Sequence, residues 1–209
     1  MSVLDKLSSA QGRRDEIPNQ ELARALARKK DKRAIAEIAA NLSNKNQRIQ
    51  NDCIKVLFEA GELEPTLIAD YAPLFLRLLS SRNTRLVWGS MTALVPIAKV
   101  RAKDVVANLG AIESAFKRGS VIAVDSGVRV LARAASANAE YNKKIFPFLL
   151  DHLKHCRPKE VPQHSESTLP AVTRVNKKKF IAVLNARLDI LSPVQAARVK
   201  KVLKTAESR

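Results

Sequence analysis

Apolar residues return along this chain with a step of 37. Ile38, Phe75, Ile112 and Leu149 stand at that spacing, as do Leu42, Leu79, Phe116 and Leu153. Downstream of each pair a second ladder keeps the same step: Ile49, Leu86 and Ala123; Val56, Ala93 and Val130; Leu57, Leu94 and Leu131; Ala60, Ile97 and Ala134. Within a copy the apolar positions fall three and four residues apart, the period of a buried helical stripe. Each copy therefore reads as two helices, A and B. One position of every B stripe is small or nearly so (Cys53, Ser90, Gly127), which lets neighbouring backbones approach. Ahead of each B stripe stands Asn46, Asn83 or Ser120, again 37 apart and able to accept a hydrogen bond from an unpaired first-turn amide. Such a pattern predicts stacked units, none of which can bury its apolar face alone.

The A helices are expected over 31–42, 68–79, 103–116 and 143–154. Leu22, Ala25 and Leu26 give a capping helix at 19–30, ahead of three and a half repeats spanning 31–155. Pro158, Pro162 and Pro170 interrupt the regularity, so 156–170 is expected to be an inserted loop. Basic helices complete the chain over 171–209. The B pattern resumes there at Phe180, Val183, Leu184, Leu188 and Leu191, and a last helix opens at Ser192 and Pro193. The whole, 1–209, is expected to be one domain.

Composition adjusts this picture in three ways. Apolar residues make up 46% and aromatic residues 4%, with six glycines, which suits helix-on-helix packing and argues against a turn-rich β protein. The formal charge is +17, and residues 157–209 carry 12 basic against 4 acidic side chains, so the field attracts phosphate backbones, anionic membranes and acidic protein surfaces without choosing among them. Two cysteines make no disulfide framework, no stretch approaches the ~20 apolar residues of a membrane span, and the first residues have no sustained apolar run. These features predict an intracellular, cytoplasmic protein in a reducing compartment, without membrane insertion.

From about residue 31 to 191 the chain resembles the HEAT and armadillo class of α-solenoids. The resemblance rests on the B stripes, as in Leu86, Ser90, Ala93-Leu94 and Ile97. It departs from the class where an Arg commonly follows the first apolar position, since Gln50, Val87 and Val124 stand there. The resemblance implies an all-α superhelix, a right-handed solenoid of helical hairpins whose B helices line the concave face. Outward B positions would then form a partner groove: Arg48, Asn51, Lys55, Arg85, Trp88, Arg129 and Arg133. The expected function is a non-enzymatic scaffold binding an acidic protein surface or peptide there. The alternative is nucleic acid, with phosphates on the cations and Trp88 stacking on a base, extending to the HEAT-like glycosylases that excise alkylated bases, with Trp88 and Asp125 in the leading parts.

Two further clusters carry chemistry. Arg174, Lys177, Lys178 and Lys179 form a polyanion patch whose plain alternative is solvated helix charge. His152, His155, Cys156 and His164 fall within thirteen residues and offer zinc donors, or else cationic histidines complementing the carbonyls of a helix end. Because no recognised ligand spacing is matched, no metal is assigned. No Gly-rich phosphate loop, nucleophile elbow or HExxH occurs, so no catalytic residue and no cofactor is assigned either.

Overall fold

Asn46 and Asn83 each turn their side-chain oxygen onto the amide two residues ahead, Arg48 N at 2.9 Å and Arg85 N at 3.0 Å, and a B helix starts at each. The computed structural model describes residues 2–118 and 120–209, and these are helical with no strand. The helices are α1 (Ile17–Lys29), α2 (Lys32–Ala40), α3 (Gln47–Leu63), α4 (Ala72–Leu78), α5 (Thr84–Ile97) and α6 (Ala102–Ala107). After them come α7 (Leu109–Lys117), α8 (Val121–Ala135), α9 (Ala139–His155), α10 (Val161–Thr168), α11 (Lys177–Asn185) and α12 (Pro193–Glu207).

The two ladders form the core. Ile38, Phe75, Ile112 and Leu149 are fully buried, as are Leu57 and Leu94, and Leu131 retains 1% of its surface. Burying side chains of this size removes roughly 1.5–3 kcal/mol of unfavourable hydration each. Phe116 and Ile49 are only half-buried. The small B positions serve close packing: a Cβ on Gly127 would stand 2.2 Å from Phe116 Cε2, so the ring lies in the space a side chain would need.

The chain divides into two compact units, residues 1–127 and 128–209, with the division inside α8. In the first, α3 packs against both α1 and α5, α2 lies on α3, and α4 lies on α5. In the second, α9 packs against α10 and α11, and α12 against the same two helices.

The expected A helices are interrupted where local chemistry competes with the ladder. Pro73, lacking an amide hydrogen, sits in the first turn of α4, and 3₁₀ turns at Pro65–Leu67 and Ala69–Tyr71 replace the expected start at 68. Asn108 donates its side-chain amide to Asp104 O at 2.9 Å, satisfying the end of α6 and separating it from α7.

The expected loop at 156–170 is instead structured. A 3₁₀ turn at Pro158–Glu160 leads into α10, and another follows at Leu169–Ala171. Each proline occupies a first-turn position, where its missing N–H has no partner to lose. The 37 step in fact continues into this segment. Arg157 precedes it as Asn46 and Asn83 precede α3 and α5, and His164, Thr168 and Ala171 take ladder positions with no exposed surface. The fourth B helix is α10, written with polar residues at core positions, which hid it from a reading based on hydropathy. Correspondingly, α11 is not a B helix but the A partner of α12. Val199, Val202, Leu203 and Ala206 of α12 repeat the B offsets with the step shortened by two residues, behind the Ser192 cap.

Candidate functional site

On α3 and α5 the outward residues come together as the repeat requires. Arg48, Asn51 and Lys55 follow one another at three and four residues, and Arg85, Trp88 and Thr92 occupy the same register 37 residues later. Asn83, while capping α5, donates its side-chain amide to Asn51 Oδ1 at 2.9 Å and to Gln50 Oε1 at 3.0 Å, which locks the two helices in register. Arg85 lies 5.3 Å from the Trp88 ring centre, Lys55 lies 4.8 Å from that of Phe58, and the two rings are 5.8 Å apart and tilted by 53°. The result is two cations over two aromatic faces, an arrangement that is attractive in itself.

Lys55 differs from the surface residue the sequence suggests. It is buried to 7% exposure, and its ammonium meets Glu16 at 2.9 Å and Glu59 at 2.6 Å. The second oxygen of Glu16 accepts from Arg85, so one carboxylate bridges a cation from each B helix. Partial burial of the Arg85 guanidinium lowers its pKa, without removing its charge, because arginine titrates so far above neutrality.

The segment before α1 builds one wall of this site. Asp52 of α3 accepts from Ser9 N at 2.8 Å and from Asn19 Nδ2 at 2.7 Å, and Asn19 Oδ1 accepts from Ser8 N at 3.0 Å. Residues 8–16 therefore lie along α3 and enclose a cleft of about 410 Å³, lined by Arg13, Arg14, Asp15 and Glu16 on one side and Arg48, Asn51, Asp52 and Arg85 on the other. Arg13 grips Asp15 through two bonds of 2.9 Å and holds its carboxyl below the usual carboxylate range. Arg14 and Arg48 are exposed at the cleft. Sequence reasoning missed Glu16, Arg13 and Arg14, since contacts spanning 39 and 69 residues leave no periodic trace.

The remaining candidates lie elsewhere. Arg129 is exposed and Arg133 half-buried on the part of α8 that belongs to the second unit. Asp125 is half-buried on the same helix, while Trp88 is engaged by Arg85 and Phe58. Arg174 in the turn ahead of α11 and Lys178 and Lys179 in its first turn are exposed, whereas Lys177 donates to Glu207 O at 2.9 Å and Arg209 O at 3.2 Å and so ties α11 to the end of α12. Of the histidine cluster, His152 and His164 meet at 2.9 Å, and His155 turns away to Asp151.

No family model matches the sequence, and no curated protein matches it. Solved structures do. An engineered protein aligns over 100% of this chain and 98% of its own with a TM-score of 0.69 and 18% identity. A designed armadillo repeat protein in complex with the peptide (KR)4 aligns over 90% of this chain and 85% of its own, with a TM-score of 0.67 and 15% identity. A second designed armadillo repeat protein reaches 0.66 over 98% of both chains at 14% identity. At such identities the likeness establishes the fold alone. That fold is an armadillo/HEAT-like α-solenoid, an all-α array of stacked helical hairpins. No helix among the described residues is long and apolar enough to cross a membrane.

Proposed function

We propose that this protein is a non-enzymatic scaffold that binds an acidic peptide or protein segment on the face of α3 and α5, next to residues 8–16. The observation that carries this reading is Glu16. A carboxylate belonging to the chain itself already bridges Lys55 and Arg85, so the face is built to hold carboxylates, and exposed Arg14 and Arg48 extend the same chemistry along the cleft. The peptide in the designed armadillo complex is made of Lys and Arg. Here the cations stand on the scaffold, and like charge would repel such a ligand, which selects Asp- and Glu-rich segments. Both cysteines are free and buried, which supports a reducing, cytoplasmic setting.

Exposed Arg174, Lys178 and Lys179 favour a second reading, in which the C-terminal unit contacts a phosphate backbone. Calorimetric titration with an Asp/Glu peptide, a Lys/Arg peptide and duplex DNA over a range of salt separates the two. The first reading predicts binding of the acidic peptide alone at physiological salt. DNA binding that persists there with a steep dependence on salt, and no response to the acidic peptide, would replace it with the second.

A further inference from the structure

We propose that His152, Cys156 and His164 form a binding site for one zinc ion, which ties the end of α9 to α10. Three independent features converge on it. His152 and Cys156 stand one turn apart at the end of α9, while His164 comes from α10, and one ring nitrogen of each histidine and the Cys156 Sγ all lie within 4.8 Å of one another. The donors are partly or wholly withdrawn from solvent: His164 has no exposed surface, Cys156 retains 8%, and His152 is half-buried, leaving one open side. His164 also occupies the ladder position held by Cys53, Ser90 and Gly127 in the earlier B helices. An imidazole replaces a small residue at the one repeat where two more soft donors stand within reach.

Local structure holds these groups in place. Arg157 N donates to Glu160 at 3.1 Å and closes the turn that brings α10 back onto α9. Arg187, just past the end of α11, donates to Cys156 O at 2.7 Å, fixing the backbone that carries the thiol. Thr168 Oγ1 donates to His164 O at 2.7 Å. His155 takes no part, since its ring meets Asp151 at 2.9 and 3.3 Å.

The metal chemistry follows from the donor set. His152 Nε2 and His164 Nδ1 are 2.9 Å apart and share a single proton, so one ring donates and the other accepts. Tetrahedral zinc, at about 2.0–2.1 Å from nitrogen and 2.3 Å from sulfur, would set the nitrogens about 3.3 Å apart and each about 3.6 Å from the sulfur. The rings therefore open by a few tenths of an ångström, and the thiol, already within 4.8 Å, closes on the ion by rotation of its side chain without refolding. On binding, the ring whose proton lies between the two nitrogens moves it to its outer nitrogen. The thiol releases one proton, and the thiolate and two neutral imidazoles supply the three lone pairs. Water takes the fourth position on the open side. Oxygen-seeking Mg²⁺ and Ca²⁺ are excluded by a site of two nitrogens and a sulfur.

The test uses the full chain, stripped with chelator under reducing conditions and titrated with zinc and with cobalt. One ion per chain is expected, with release of a proton, a thiolate-to-cobalt charge-transfer band and a raised melting temperature. Cys156→Ser should abolish the band. His152→Gln, at a half-exposed position that leaves the fold intact, should weaken binding at least about tenfold. Zinc should also slow alkylation of Cys156 but not of Cys53. Absence of the charge-transfer band in the wild-type protein would overturn the proposal whatever the variants do. Metal affinity unchanged in both variants would overturn it equally, by placing the ion elsewhere.

Discussion

Single residues in this protein do work that their neighbours in sequence do not announce. Cys53 is the clearest for stability. It takes a ladder position with no exposed surface, and burial pushes its thiol up to about 12 from an ordinary value of 9.0; the same cause raises Cys156 to about 11. Because the folded chain holds these protons more tightly than the unfolded one, their stabilisation is complete below pH 9 and is lost as pH rises from there toward the folded values. The slope is at most about 1.4 kcal/mol per pH unit for each thiol. Urea unfolding from about pH 8 to 10.5 should therefore show a steeper alkaline loss in the wild-type protein than in Cys53→Ala. Equal slopes would contradict the burial assigned to that thiol. Cys53 was legible as a core residue because it falls on the stripe. Lys55, two residues on, was legible only as an outward residue, since its burial depends on Glu16 folding across from a distant segment.

At the scale of elements, helices whose core positions are apolar could be read directly, and those whose ends or cores are polar could not. The caps at Asn46 and Asn83 and the stripes of α3, α5 and α8 follow the period. By contrast α10 buries His164, Ser165 and Thr168, satisfied by local bonds such as Ser165 Oγ to Pro162 O at 2.9 Å. Its prolines read as breakers unless their first-turn positions are known. The junction after α9 depends on Arg187, whose guanidinium donates to the carbonyls of Leu153, Lys154 and Cys156, three acceptors left open by the end of that helix. Arg187→Met keeps the aliphatic stem and removes these charge-assisted bonds, and should cost about 2–4 kcal/mol. Amide exchange should accelerate first around residues 153–157. Unchanged exchange there would show that the end of α9 is held by other contacts.

For the whole molecule, repetition makes the fold readable and the site only half so. A period of 37 fixes which residues of α3 and α5 share a face, so Arg48, Asn51, Arg85 and Trp88 were found in advance. Which of them is free to meet a partner is set by residues 8–16, which carry no repeat and neutralise part of the face. Trp88, the only tryptophan, lies in contact with Arg85 and Phe58 and reports on that face directly. The decisive measurement is its emission during titration with an Asp/Glu peptide, compared among the wild-type protein, Arg48→Glu and Glu16→Gln. A saturable change is expected in the wild type. Binding should be about three- to tenfold weaker in Arg48→Glu, where an exposed cation becomes a repelling charge, and tighter in Glu16→Gln, where the resident carboxylate no longer competes for Lys55 and Arg85. An emission that ignores the peptide, or an affinity that neither substitution alters, would contradict binding at this face.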